Sequence, residues 1–534
     1  MPPKFAALLG SLLSLLPDDF QPSGRREPPS YFFTPEEIGR LHRADADPRT
    51  ALDEQTWQDL LLEAYEDKLA QGSSIFGRQM LHRRLRAGIG DDACTALDER
   101  LRALVADGGR VAALETALLP LRHAETEIAG LLFGDAPPQS PPPWLRFLWL
   151  LPVLLLLSLV LLATQPLGWM ATIAGMAPLM VLQINYHRRI QGWTATLDSV
   201  NALLACSGKL AQAGDPLLAP FVAARGQAAG LHKQVGRTLL MRMSPSTQAY
   251  LDWFGGSNVR RYWKTMRAFH QSRDFLRAAY LRTAELEADV ALARHLGGAS
   301  HWCWAERSAA RTLELEGGVH PLMDIPSPLS VRLAGQGAFI SGQNASGKST
   351  FLRMVGLNLV AARAFGFCYA RAARLPAVPV RASMQNEDSL LGGESLYMSE
   401  LRRARELLAA SGEPAGICLV DEVFRGTNHL ESVSAAAAVL ESLCERDLVL
   451  VSSHNLVLAP LLRAQLDPFF IDTAGGRPVL APGVLRSPNG IALLATQGFG
   501  ARVEGRAAEV ARWLSGHLAE PAALVAEEDS ELTA

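Results

Sequence analysis

The run Gly342-Gln343-Asn344-Ala345-Ser346-Gly347-Lys348-Ser349-Thr350 fits the spacing G-x-x-x-x-G-K-[ST]. An apolar run, Ala338-Phe339-Ile340, precedes it, and a helical run, Phe351-Leu352-Arg353-Met354-Val355, follows. Strand, glycine loop and helix, in that order, is the local fold such a motif requires. Gly342 and Gly347 let backbone N–H groups turn inward onto phosphate oxygens, and the helix N-terminus adds a favourable dipole. In that setting Lys348 is expected to neutralise the β- and γ-phosphates of ATP, and Ser349 to ligate Mg²⁺. The competing reading is a chance match in a flexible loop, and a second motif argues against it.

That second motif is Ile417-Cys418-Leu419-Val420-Asp421-Glu422. Four apolar residues predict a buried strand whose end presents two carboxylates. Asp421 is expected to hold Mg²⁺, usually through water, and Glu422 to polarise the attacking water. Two adjacent acids at a solvated strand end are the plainer alternative. A third strand, Leu448-Val449-Leu450-Val451-Ser452, leads into Ser453-His454. At a core strand's end and after the acids, His454 is placed to sense a γ-phosphate, although a lone histidine means little.

From about residue 310 onward, short β-rich runs at Gly337–Ser341, Ile417–Asp421, Leu448–Ser452 and Phe469–Ile471 alternate with helical segments. This alternation predicts an α/β domain with a largely parallel sheet. Upstream the chain reads as helical. Thr34-Pro35-Glu36-Glu37 carries a capping box, and Ala96 to Leu132 has apolar residues at helical spacing, interrupted by Gly108-Gly109. Trp193 to Ala213 and Met266 to Leu296 are the clearest helical stretches further on. The proline-rich run from Gly134 to Pro143 reads as a linker.

Phe147 to Ala163 and Leu167 to Ile184 contain no charged residue. At helical rise each run covers roughly 25 to 27 Å, near the lower limit for crossing a bilayer. Thr164-Gln165-Pro166 between them allows only a tight hairpin. Trp144, Trp149, Trp169 and Tyr186 lie near the ends, as interfacial aromatics do. Arg146 before the hairpin and His187-Arg188-Arg189 after it predict both large domains on the cytoplasmic side. The alternative is a hydrophobic hairpin buried in a soluble core. At the N-terminus, Phe5 to Leu16 repeats at helical spacing without a cleavage site, which favours an amphipathic helix over a signal peptide.

The 534 residues leave room for several folded units, and a hydrophobic share of 49% excludes a disordered chain. A formal charge of -3 argues against a wholly basic nucleic-acid binder, but Arg237 to Arg282 is locally basic, with Tyr262, Trp263 and Phe269 interleaved. That stretch reads as a nucleic-acid surface, a solvated helix face or a face against anionic lipid headgroups. The six cysteines stand at no zinc spacing and read as reduced thiols of a cytosolic compartment.

These residues resemble the MutS family of mismatch-repair ATPases. The phosphate loop with Asn344 and Ser349-Thr350 looks like the family's T-G-P-N-M-x-G-K-S-T. Asp421-Glu422-Val423-Phe424-Arg425-Gly426-Thr427-Asn428 resembles its D-E-[IL]-G-R-G-T-S segment, and Ser453-His454 its T-H switch. Asp388, Gly393, Ser395, Met398 and Glu400 stand where the family has D-D-L-x-x-G-x-S-T-F-M-x-E. Gly317-Gly318-Val319-His320-Pro321, the stretch from Ser73 to Leu81, and Ser487-Pro488-Asn489-Gly490-Ile491 resemble further family segments. The resemblance implies that Gly342, Asn344, Gly347, Lys348, Ser349 and Thr350 bind ATP. It also implies that Ser395 reaches the nucleotide of a partner subunit, so that the protein works as a homodimer. Gln343, Ala345, Glu394 and Leu396 depart from the family pattern, and no mismatch-reading domain precedes the helical core.

The expected fold is thus a C-terminal P-loop NTPase domain of the ABC/MutS type, preceded by a mainly helical core and lever region with a two-helix transmembrane hairpin. The expected parts are an amphipathic segment at 1–30, helical core at 31–136 and 190–310, the hairpin at 144–187, the ATPase domain at 312–515 and an acidic tail at 516–534. The expected function is a membrane-anchored, Mg²⁺-dependent dimeric ATPase associated with DNA structure rather than mismatches. The alternative is a membrane-tethered nucleotide switch that recruits protein partners without DNA. An ABC transporter fits less well, because an L-S-G-G-Q signature is missing and the spans carry no charge.

Overall fold

The structure, a computed structural model, describes residues 32–44, 50–135, 140–165, 168–235, 252–384, 396–412, 414–424, 426, 428–473, 477–485, 494 and 498–518. The expected N-terminal amphipathic helix, the acidic tail beyond 518, Arg237, Arg242, Asp388, Gly393, Ser395, Arg425, Thr427 and 487–491 lie outside the described residues. The chain divides into two compact units. One comprises Met1–Asp45, Ala70–His82 and Leu101–Arg294; the other comprises Ala46–Leu69, Arg83–Arg100 and His295–Ala534.

The first unit is helical among its described residues. Its first described helix opens with the expected capping box: Glu37 N–H donates to Thr34 Oγ1 at 3.3 Å, and Thr34 N–H donates to Glu37 Oε2 at 2.9 Å. The helix it starts, Pro35–Ile38, is short. The stretch expected as one long helix is broken into Asp91–Val105, Gly108–Leu118, a 3₁₀ turn at Leu119–His123, and Ala129–Phe133. Asp107 caps the second piece by accepting from Arg110 N–H at 3.0 Å, so the Gly108-Gly109 pair opens a helix rather than interrupting one.

The longer helices of this unit include α1 (Leu150–Thr164), α2 (Gly168–Leu210), α3 (Ser257–Gln271) and α4 (Arg273–Gly298). Glu287 of α4 is buried and accepts from Ser74 N–H at 2.8 Å, Ser74 Oγ at 2.5 Å and Gly77 N–H at 2.9 Å. It thereby caps the helix Ile75–Ala87 from outside its own segment. A Cβ on Gly77 would stand 2.8 Å from Glu287 Cγ, which explains the glycine of the Ser73–Leu81 motif.

The hairpin of α1 and α2 differs in part from expectation. Among the described residues one helix, Pro143–Thr164, is long and apolar enough to cross a membrane. The second apolar run does not stand alone: it is the first part of the 43-residue α2, which carries Pro178 and the amides Gln183 and Asn185. Those residues dilute its apolar character below that of α1.

The second unit contains β1 (Cys303–Trp304), β2 (Glu306–Arg307), β3 (Thr312–Gly318), β4 (Leu329–Ala334), β5 (Gly337–Gly342), β6 (Phe367–Cys368), β7 (Ala372–Leu375), β8 (Val380–Ser383), β9 (Ile417–Asp421), β10 (Leu448–Ser452), β11 (Leu466–Asp472) and β12 (Val479–Pro482). The main sheet has the order β12-β11-β5-β10-β9-β8, parallel throughout except for β12. Continuous burial of β5, β9 and β10 is what a sheet covered on both faces demands. The helices α5 (Lys348–Phe365), α6 (Leu396–Ala410) and α7 (His429–Cys444) alternate with these strands. A separate sheet, β2-β7-β3-β4, was not foreseen from the sequence, although β4 alternates buried apolar and exposed residues along its six positions.

Two polar fixtures stabilise the main sheet. The edge strand β8 is closed by the helix Glu54–Asp59: Ala382 N–H donates to Thr56 Oγ1 at 2.9 Å, and Met384 N–H donates to Asp59 Oδ2 at 2.8 Å. This occupies an edge that would otherwise be free to pair with another chain. Beneath β9, the fully buried Asp447 accepts from Gly416 N–H at 2.7 Å and faces Arg381 at 3.5 Å. Asp447→Ala would leave Arg381 buried without its counter-charge. The expected loss is about 3–5 kcal/mol, read from the denaturant midpoint of this unit by pulse proteolysis.

Candidate functional site

The parallel register of three neighbouring strands builds the site. Ser452 of β10 stands opposite Ile340 of β5 on one side and Asp421 of β9 on the other. The loops that follow the three strands therefore leave the sheet at the same edge, where ligands of open α/β sheets bind. The loop after β5 is the phosphate-binding motif, and it ends in α5, whose N-cap is Gly347 at φ 93°. Only glycine adopts that conformation without strain. A Cβ on Gly342 would stand 2.5 Å from Ser346 Oγ, so this glycine is needed for space.

Inside the loop, the largely buried Lys348 folds back and donates to Gly342 O at 3.3 Å and Gln343 O at 3.2 Å. Burial lowers the ammonium's pKa from its ordinary value, while the Glu422 and Asp421 carboxylates pull it upward. The lysine and the acid pair thus lie within electrostatic reach of one another. Ser346 Oγ is buried and has no hydrogen-bond partner among the described residues. A loop with a withdrawn cation and an unused hydroxyl is suited to an anionic guest with many acceptor oxygens.

On the opposite side, Asp421 accepts a hydrogen bond from Ser452 Oγ. Glu422 sits at φ 52° with its N–H donating to Ser452 O at 2.9 Å, and its Oε1 lies 2.8 Å from His454 Nε2. The left-handed turn at Glu422 aims the side chain away from the strand direction. Ala345 (φ 60°) and Phe424 (φ 55°) share that conformation, so backbone strain concentrates here.

Phe424 is buried beside Tyr397, with ring centroids 6.0 Å apart, and Gly426 N–H donates to Glu400 Oε2 at 3.2 Å. The Met398–Glu400 part of the sequence motif is therefore tied to the turn after the acids.

Gly342, Gly347, Lys348, Asp421, Glu422 and His454 are brought to one edge of the sheet. Asn344 is exposed in the loop, and Ser349 and Thr350 are half-buried in the first turn of α5. Ser346 and Ser452 were missed by the sequence reading. Serines give no compositional signal, and only the register β10–β9 makes Ser452 a neighbour of Asp421. Ser349 and Asp421 offer a hydroxyl and a carboxylate, the hard oxygen donors Mg²⁺ takes.

A strand–glycine loop–helix with a buried lysine, facing a strand that ends in two acids, defines a P-loop ATPase. Residues 338–467 match the family described as MutS domain V, an ABC-type ATPase domain, and the chain therefore carries a MutS-type ATPase. It is 30% identical over 243 residues to the DNA mismatch repair protein MutS of Thermus aquaticus, covering 43% of this chain and 30% of that protein. It is 31% identical over 187 residues to DNA mismatch repair protein MutS 1 of Halobacterium salinarum, covering 34% and 20%. With the MutS of Thermotoga petrophila the identity is 34% over 157 residues, covering 28% and 20%. The chain spans at most 30% of the length of these three relatives.

The Gly426 contact yields a test. A Cβ there would stand 2.6 Å from Tyr397 N, at the start of α6. Gly426→Ala is expected to cost about 1–3 kcal/mol through overpacking, seen as a lowered Tm. Gly505→Ala, at a helical position with open space around its Cβ, should be neutral or stabilising.

Proposed function

We propose that this protein is a membrane-held, Mg²⁺-dependent ATPase that works as a homodimer and acts in DNA transactions. The observation that carries the catalytic part is the parallel register of β5, β10 and β9, which brings the loop holding Lys348 and the Asp421–Glu422 pair to one sheet edge. In this reading Gly342, Asn344, Gly347 and Thr350 line the triphosphate through the loop, and Lys348 moves from the loop carbonyls onto the β- and γ-phosphates. Ser349 and Asp421 hold Mg²⁺, which offsets phosphate charge when bound. Glu422 accepts a proton from the attacking water, and His454, in contact with Glu422, reports the γ-phosphate to the strand end. Ser395 acts on the partner subunit's nucleotide, a role that rests on the family resemblance.

Membrane attachment is supported by what α1 and α2 leave uncovered. Leu154, Leu156, Leu157 and Val160 of α1, and Ile173, Met180, Val181 and Ile184 of α2, are all exposed, and only 17% of the most apolar window of Pro143–Thr164 is buried. An apolar surface of that extent in water is an aggregation hazard, whereas in hydrocarbon it is at no cost. Both helices cross in this reading. The basic residues at both outer ends keep the two large units on the cytoplasmic side.

DNA as the object of the ATPase is supported by the relatives, which are named for DNA mismatch repair. The basic stretch supports it less than its charge count suggests. Arg273 and Arg277 donate to Leu132 O at 2.8 and 2.7 Å, and Arg273 also donates to Gly134 O, capping the end of Ala129–Phe133. Those contacts commit two of its arginines to backbone carbonyls; the second reading is a membrane-tethered switch that recruits protein partners.

Lys348→Ala is expected to abolish ATP binding in equilibrium dialysis. Glu422→Gln should retain binding while hydrolysis by the detergent-solubilised protein falls about 10²–10³-fold. Hydrolysis at the parent rate would exclude Glu422 as the base. Duplex DNA should raise the parent rate at low salt. An unchanged rate, with ATP-dependent copurification of one protein, selects the switch reading.

A further inference from the structure

We propose that the base of the hairpin is a collar for anionic phospholipid headgroups, formed by Arg188 and Arg189 of α2 and the Arg260–Lys264–Arg267 stripe of α3. The inference rests on the membrane reading above, and it assigns the basic stripe to lipid rather than nucleic acid.

The depth of α3 is set by its contacts with α2. Gln183 Nε2 donates to Asp252 O at 2.6 Å, and Asn258 Nδ2 donates to Gln183 Oε1 at 2.7 Å. Further along, Trp263 Nε1 donates to Tyr186 OH at 3.3 Å, and Trp193 Nε1 donates to Thr265 Oγ1 at 2.8 Å. The two helices therefore run side by side in the same direction, and α3 begins level with the last residues of the second apolar run. Leu148, just before α1, packs under Gly256 at the start of α3, with its side chain 3.2 Å from where a Cβ would stand. The start of α3 is thus fixed against both arms of the hairpin.

At that level the chemistry divides cleanly. The buried face of α3 carries Val259, Tyr262, Trp263, Met266 and Phe269. Its exposed face carries Arg260, Lys264 and Arg267, spaced four and three residues apart. Immediately before it, Trp253 and Phe254 are exposed. His187, Arg188 and Arg189 of α2 are exposed one turn beyond Gln183, and the Arg189 guanidinium lies 5.9 Å from the Tyr186 ring.

Trp253 and Phe254 are exposed level with the end of the apolar run, Arg188 and Arg189 follow one turn further along α2, and Arg260 follows six residues after Phe254. That is the order of a bilayer from hydrocarbon edge to phosphate. Continuity with the apolar hairpin and charge complementarity both select anionic lipid.

The test uses the full-length protein reconstituted into phosphatidylcholine vesicles carrying a minor fraction of brominated phosphatidylcholine or brominated phosphatidylglycerol, read by tryptophan quenching. Quenching by the brominated phosphatidylglycerol should exceed that by phosphatidylcholine at least about threefold at low salt, and the excess should shrink as salt rises. Arg260→Gln/Lys264→Gln/Arg267→Gln should bring the two lipids to parity while retaining the parent ATPase rate. Arg188→Gln/Arg189→Gln is an independent second variant with the same expected direction. Equal quenching by both lipids in the parent overturns the collar and leaves the membrane reading standing. No quenching by either lipid overturns both. Parity between lipids, combined with duplex binding in detergent that the triple variant loses, overturns the collar and assigns the stripe to nucleic acid.

Discussion

The parallel pairing of β5, β10 and β9 is the constraint from which the ATPase site follows. Parallel strands all deliver their C-terminal ends to one edge, so the phosphate loop, the acid pair and Ser453-His454 emerge together without any contact having to gather them. Ser452, between the other two strands, bonds Asp421 through its hydroxyl and Glu422 through its carbonyl. A slip of one residue in this register would part Ser452 from Asp421 and scatter the site.

That edge is also where the backbone is most strained. Among the described residues, three of the four non-glycine positions with positive φ are Ala345, Glu422 and Phe424. Each such conformation costs on the order of 1–3 kcal/mol. The rest of the unit offsets it: Phe424 is fully buried, Ser432 Oγ donates to Phe424 O, and Asp447 and Arg381 are paired beneath β9. The strain turns Glu422 toward His454 and away from the direction its strand would impose. The helical unit shows a different balance, in which α2 and α3 bury an aromatic ladder of Tyr186, Tyr262, Trp193 and Phe269 while the hairpin leaves its leucines and methionines uncovered.

The catalytic half of the molecule was legible in the sequence because its chemistry is local. A phosphate loop needs its glycines, lysine and serine within one turn, and strands buried on both faces read as unbroken apolar runs. β9 and β10 were placed at Ile417–Asp421 and Leu448–Ser452, the bounds found in the fold. The helical region was harder to read. Ala96 to Leu132 has one helical periodicity but four pieces, because Asp107 and Pro120 start new elements that an apolar count does not register. The second apolar run has the charge-free pattern of a separate span, whereas α2 continues without a break to Leu210.

By itself the sequence determined the nucleotide chemistry, since residue type and short spacing suffice to specify a phosphate loop and an acid-tipped strand. It also determined the alternation that makes a parallel sheet. Only the tertiary structure decided that Thr56 and Asp59 close the edge of β8, and that Glu287 caps a helix more than two hundred positions away. It likewise decided that Arg273 and Arg277 serve carbonyls while Arg260 and Lys264 face outward. Hydrogen bonds between distant segments leave no periodicity in a chain, because either partner can stand anywhere that the packing brings it close.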